Sequence, residues 1–118
     1  MTTTTQQLLD RLRVFRDERD WAQFHDVARL VRSVAIEASE LLEAVQWLTD
    51  EQIAKGATGE PLKHRLMEEA ADVFLYLLLL SDKVGFDLHD AAAAKIESNE
   101  QKYPVEKARG TARKYDQL

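Results

Sequence analysis

Two stretches decide the fold: residues 30–48, LVRSVAIEASELLEAVQWL, and residues 62–80, LKHRLMEEAADVFLYLLLL. In the first, Leu30, Val34, Glu37, Leu41, Ala44 and Leu48 recur at alternating steps of four and three, the stripe by which an α-helix meets a core. In the second, Leu62, Leu66, Glu69, Val73, Tyr76 and Leu80 repeat that pattern. Each stripe is interrupted by a glutamate at a core position, and three residues later comes another acid, Glu40 or Asp72. Side chains three apart share a helix face, so each helix can present two carboxylates to one point. An isolated Glu-x-x-Glu is ordinarily a solvated helix face. Two such pairs phased into apolar stripes are different, because turning ionised carboxylates inward costs several kcal/mol unless they are paired or bind metal. Mutual repulsion among four acids would raise their pKa values, whereas one or two divalent cations would hold all four ionised as hard oxygen ligands.

The remaining composition narrows the chemistry. With 118 residues the chain is read as one domain, residues 1–118, with 105–118 as a tail. A net charge of −5 argues against a dedicated nucleic-acid binder, which would show a basic face. Cysteine is absent, which removes disulfides, thiolate zinc sites and cysteine nucleophiles. Met1 to Gln7 is polar, without the apolar segment of a secretory signal, and a cytoplasmic location is expected. The longest apolar run, Val73 to Leu80, is too short for a membrane span and reads as core.

In chain order, Thr4 and Gln7 form a capping-box pattern that opens a helix through Leu8, Leu12 and Phe15 to about Arg19, its charged residues facing solvent. Asp20 to Asp26 lacks helical periodicity and gathers Trp21, Phe24 and His25 into an ordered connector. The second helix is expected from Val27 to Asp50. On it Trp47 follows Glu43 by about one turn, so that aromatic and acidic surfaces adjoin, as binding a flat ring with a charged tail requires. Glu51 to Glu60, with Gly56 and Gly59, reads as a loop, and Pro61 restarts a third helix that stops at Gly85. The far half of that helix is apolar all round, which predicts cover from another subunit. Asp87 and Asp90 open a fourth helix that ends before Pro104. On it Lys95 and Asn99 share a face and could hold an anion near the carboxylates; the bland alternative for Lys95 is a snorkelling side chain. The tail beyond Pro104 is expected to be irregular. The expected fold is therefore all-α, a four-helix bundle-like protomer with a carboxylate-lined core.

Several constellations are missing. The four glycines are isolated, so neither a phosphate-cradling loop nor a dinucleotide fingerprint exists. His25, His64 and His89 stand too far apart for a helical His-Glu-x-x-His pair. The Glu-x-x-His of di-iron bundles also fails, since Ala22, Pro61 and Phe86 lie three before the histidines. All-carboxylate ligation favours magnesium or manganese over redox iron.

Taken together, Glu37-x-x-Glu40, a spacer of 28 residues and Glu69-x-x-Asp72 resemble the all-α nucleoside triphosphate pyrophosphohydrolases of the MazG-like superfamily. The run from Phe15 to Trp21 with Phe24-His25, the segment Glu40 to Glu43 leading to Gln46-Trp47, Asp72-Val73 with Tyr76, and Lys95-x-x-x-Asn99 before Lys102-Tyr103-Pro104 look like the dCTP pyrophosphatase branch. So does the closing Arg113-Lys114-Tyr115, and the resemblance extends from about Leu12 to Tyr115. It implies that Glu37, Glu40, Glu69 and Asp72 are catalytic and bind Mg²⁺, with Mn²⁺ as a substitute. It further implies that Trp21, His25, Trp47 and Tyr76 line a base and sugar pocket, and that Lys95 and Asn99 contact the nucleotide or its phosphates. The implied reaction converts a nucleoside triphosphate, in this branch a pyrimidine deoxynucleotide such as dCTP, to the monophosphate and pyrophosphate. Such enzymes clean the nucleotide pool, as homodimers or homotetramers whose subunits complete each other's sites. Neither nucleic acid nor membrane is an expected partner. Val27 and Arg29 stand where that branch usually has proline and asparagine, which leaves the preferred base open. A non-catalytic nucleotide-binding module and a structural helical oligomer are the alternatives.

Overall fold

A computed structural model describes residues 3–118; Met1 and Thr2, which begin the polar N-terminal stretch, lie outside the described residues. The described residues form six α-helices and no strand: α1 (Thr5–Glu18), α2 (Val27–Glu43), α3 (Asp50–Gly56), α4 (Leu62–Val84), α5 (Leu88–Lys102) and α6 (Val105–Ala108). The all-α expectation holds. No helix among the described residues is long and apolar enough to cross a membrane.

The helix starts follow from local chemistry. Thr4 Oγ1 accepts from the Gln7 amide at 3.1 Å while Gln7 Oε1 accepts from the Thr4 amide at 2.8 Å, the reciprocal capping box. Asp26 Oδ1 caps α2 by accepting from the Arg29 amide at 2.7 Å, and Asp87 Oδ1 caps α5 by accepting from the Asp90 amide at 2.8 Å. At the end of α4, Gly85 takes φ +96° and its amide donates to the Ser81 carbonyl at 2.9 Å, a left-handed cap that a side chain would strain.

Three expectations about the elements need correction. The second helix stops at Glu43, and residues 44–48 continue as turns. What reads as a loop after it contains α3, because Thr49 and Gln52 make a second capping box, with bonds of 3.2 and 2.9 Å. Asp50 and Glu51 in its first turn and Lys55 in its last suit the helix dipole. The tail is not irregular throughout, since Pro104 opens the short α6 and residues Tyr115–Gln117 form a 3₁₀ turn.

The chain divides into two compact units, one ending at Gly85 and the other running from Phe86 to Leu118. In the first, α2 packs along α4, and α1 also lies against α4. Leu30 of α2 and Leu78 and Leu79 of α4 are buried at its centre. The apolar end of α4 thus finds cover on two sides within its own chain, with Phe74 left half-exposed. Ser81 is buried as well, its hydroxyl donating to the Leu78 carbonyl at 2.7 Å, which satisfies the one polar group placed there. In the second unit, the rings of Tyr103 and Tyr115 meet edge to face with centroids 6.2 Å apart, and the Lys102 ammonium lies 5.1 Å from the Tyr115 ring, tying the tail to the end of α5.

Candidate functional site

Parallel stripes on α2 and α4 bring the acids together. Glu37, Glu40, Glu69 and Asp72 each offer a carboxylate oxygen, and these oxygens all lie within 4.8 Å of one another. Glu37, Glu40 and Glu69 are partly buried, and Asp72 stands at the exposed edge. Two of the oxygens, Glu37 Oε2 and Glu69 Oε2, are buried without a hydrogen-bond partner. A buried acceptor without a donor is costly, and among the described residues no lysine or arginine forms an ion pair with any of the four acids. The crowding also shifts ionisation. The adjoining Glu37 pushes the Glu40 carboxyl above its ordinary range, against an opposing pull from Glu69. Burial first, and then Glu40 and Asp72, push the Glu69 carboxyl up. A divalent cation is the group this donor set fits: it would satisfy the orphaned oxygens and cancel the repulsion, and an all-oxygen set suits Mg²⁺ or Mn²⁺.

The acidic cluster adjoins a cavity of about 240 Å³ lined by Leu12, Phe15, Arg16, Trp21, His25, Glu37, Asp72, Leu75, Tyr76 and Leu79. Glu37 and Asp72 belong to both. The connector after α1 closes one wall. Asp20 adopts φ +56°, tolerated by aspartate, and its carboxylate and carbonyl accept from Gln23 Nε2 at 2.9 and 3.0 Å. The Trp21 amide donates back to the Arg16 carbonyl at 3.0 Å, which turns the indole onto Phe15 edge to face, with centroids 5.6 Å apart. His25 lies against the same cavity. Its Nδ1 is buried without a partner, and burial, with the nearby Arg16 cation, pushes the imidazole below its usual range. The ring is therefore neutral at neutral pH, with one nitrogen free to donate and the other to accept. Aromatic walls, a neutral imidazole and a carboxylate rim suit a flat heterocycle carrying an anionic chain held through metal.

Trp21, His25 and Tyr76 accordingly share one cavity with two of the four acids. Trp47 does not join them. Because α2 ends at Glu43, the indole stands on the following turn rather than on a continuous helix, 86% exposed and outside the lining of this cavity. Leu48, expected in the buried stripe, is exposed for the same reason. Lys95 and Asn99 lie on α5 in the second unit, Lys95 exposed and Asn99 half-buried.

Sequence reasoning misses Arg16, because the helix pattern assigns its charge to solvent. Its guanidinium instead pairs with Asp17, Nε to Oδ1 at 2.8 Å, and reaches Asp82 of α4, Nη1 to Oδ2 at 3.4 Å, while Arg13 bonds the other oxygen of Asp82. The signal was available. Leu8, Leu12 and Arg16 recur every four residues, so an arginine follows two core leucines on one face.

An all-α unit whose two longest helices converge four carboxylates beside an aromatic cavity has the donor set of a divalent-cation site. The comparisons give it a family. The MazG-like family matches residues 33–118, and the chain belongs to that family. It is similar to dCTP pyrophosphatase 1 of Mus musculus, 41% identical over 106 residues, and to that of Homo sapiens, 36% identical over 104 residues. Each match covers 88% of this chain and 61% of the relative, so the chain spans about three fifths of their length. Among solved structures it is similar to a pyrophosphatase from Archaeoglobus fulgidus, with a TM-score of 0.79 and 38% identity over 88% of this chain and 95% of the other.

Proposed function

We propose that the chain is a divalent-metal-dependent nucleoside triphosphate pyrophosphohydrolase acting on a pyrimidine deoxynucleotide, dCTP first among them, and releasing the monophosphate and pyrophosphate. The observation that carries the reading is the set of four carboxylates whose oxygens lie within 4.8 Å, two of them buried and unpartnered, on the rim of an aromatic cavity. The relatives named dCTP pyrophosphatase 1 support the substrate class.

Glu37, Glu40, Glu69 and Asp72 would hold Mg²⁺, or Mn²⁺ in its place, which when bound supplies charge neutralisation for a triphosphate that this acidic protein would otherwise repel. Phe15, Trp21 and Tyr76 give the base apolar faces and exclude water from it, and His25 offers its ring nitrogens to polar atoms of the nucleoside. The resemblance implies a nucleotide contact for Lys95 and Asn99 as well, a cation and an amide carried on α5. Glu37 or Glu40 accepts a proton from the attacking water as its oxygen bonds to phosphorus, the bridging P–O bond breaks and pyrophosphate leaves. Catalysis on this reading is positioning plus electrostatics.

Val27 and Arg29, the departures from the usual pattern of the branch, motivate the alternative of a module that binds a nucleotide without cleaving it. Neither lines the cavity, and Arg29 pairs with its own cap Asp26 at 3.4 Å, which favours the enzyme. The deciding experiment incubates the protein with Mg²⁺ and each common NTP and dNTP and resolves the products. Monophosphate plus pyrophosphate, lost on adding EDTA, is the expected result. Tight nucleotide binding without product would select the binding module instead.

A further inference from the structure

We propose that Arg16, held by Asp17 and Asp82, is a specificity-determining residue that donates two hydrogen bonds to adjacent acceptors on the base and so favours cytosine over uracil and thymine. The inference rests on the nucleotide reading given above and deepens it. Among the described residues Arg16 is the only lysine or arginine in the cavity lining, and its side chain is only 19% exposed. A guanidinium carries five N–H groups and no acceptor. Three are engaged: Nε and Nη2 donate to the two oxygens of Asp17 at 2.8 and 3.3 Å, and Nη1 donates to Asp82 Oδ2 at 3.4 Å. One N–H remains on each terminal nitrogen. Arg13 donates to the other oxygen of Asp82, so the carboxylate that orients Arg16 is itself fixed from α1.

The two remaining donors point to a particular base edge. Cytosine presents O2 and N3 as neighbouring acceptors, which a pair of parallel N–H groups can satisfy together. In uracil and thymine N3 carries a hydrogen, so one of the two arginine donors would face another donor and stay unsatisfied. Sites built from buried polar groups discriminate most strongly in this way, because the wrong ligand leaves them unpaired. Phe15, Trp21 and Tyr76 supply the aromatic surface between which such a ring would lie.

The test is titration of the intact protein with dCMP and with dUMP, read from tryptophan fluorescence, for wild type, Arg16→Met and Asp82→Asn. Wild type should bind dCMP about tenfold or more tighter than dUMP, the range of one good bidentate base contact. Arg16→Met should bring the two affinities within about threefold of each other, mainly by weakening dCMP, and Asp82→Asn should narrow the gap in the same direction. A merely structural arginine would weaken both ligands equally, so an unchanged ratio in Arg16→Met overturns the proposal. So does equal binding of dCMP and dUMP by wild type. Should Arg16→Met fail to fold, the wild type is titrated with the monophosphate of 3-deazadeoxycytidine, which has C–H in place of N3. Binding about tenfold weaker than dCMP is expected, and equal binding overturns the proposal. Turnover of triphosphates with an unaltered base ranking in Arg16→Met would remove this inference alone. Binding of neither monophosphate, with no turnover of any triphosphate, would remove the nucleotide reading and this inference with it.

Discussion

At position 69 a glutamate occupies a place in the helix stripe where its neighbours Leu66 and Val73 are core residues, and one of its oxygens is buried with nothing to bond. Such a residue weakens the folded chain unless a ligand pairs with it. Glu69→Gln should therefore have opposite effects on stability and activity. Removing one of four crowded negative charges should raise the melting temperature in EDTA by roughly 4 °C, while Mg²⁺, which stabilises whatever binds it in the native state, should raise the melting temperature of wild type and not of the variant. Turnover should fall by at least about 100-fold, since even outer-shell changes at metal sites cost 10–100-fold. Differential scanning calorimetry with and without Mg²⁺, alongside the pyrophosphate assay, checks both; wild-type turnover in the variant would end the metal assignment. The four acids were legible in the sequence because a charged residue in an apolar stripe is a local anomaly. Arg16 was harder to find, because an arginine beside aspartates on an amphipathic helix has many solvated counterparts, and only the fold brings Asp82 to it.

Among the elements, α1 depends on charge for its attachment. Arg13 and Arg16 meet Asp82 near the end of α4, and the bond from Arg13, with that from Arg16, holds the Asp82 carboxyl below its ordinary range. A group whose pKa is lower folded than unfolded contributes stability that is present above the unfolded value, here near 4, and disappears as pH falls through the folded one. Asp82→Asn should thus lower the melting temperature by roughly 4 °C at pH 7, and the gap to wild type should narrow as pH falls below the unfolded value near 4. Thermal melts at pH 7, 5 and 3 test this, and a constant gap across the series would contradict it. Helix ends show what the sequence could tell. Thr4 with Gln7, Asp26, Asp87 and Gly85 mark boundaries by bonds to their own neighbours, and such local chemistry reads directly. The same chemistry at Thr49 and Gln52 was obscured by the two glycines that follow. The stop at Glu43 has no comparable signal, because the apolar pattern runs on through Ala44 and Leu48 after the helix has ended.

Across the described residues, exposed apolar side chains are found on most elements, and a group of them stands on each of the two helices that carry the acids. Val27, Val31 and Leu42 stand out along α2, and Met67 and Phe74 along α4, spaced so that each set repeats on one helix face. Apolar side chains grouped in this way on a chain of 13.5 kDa mark surface that another copy would cover, as the α4 pattern suggested, though α1 and α2 account for part of that cover. We therefore expect light scattering to give at least twice the chain mass at micromolar concentration. Charging one exposed face should dissociate the assembly without melting the unit, since Val31 and Phe74 lie outside its buried centre at Leu30, Leu78 and Leu79. Val31→Glu with Phe74→Glu is the variant to make. Its mass should fall to that of one chain while helix content by circular dichroism stays within about 10%. If subunits complete each other's sites, turnover should fall together with the mass. A dissociated variant that retains full turnover would show that the carboxylates and the cavity within one chain suffice, and would leave the apolar faces a role in stability alone.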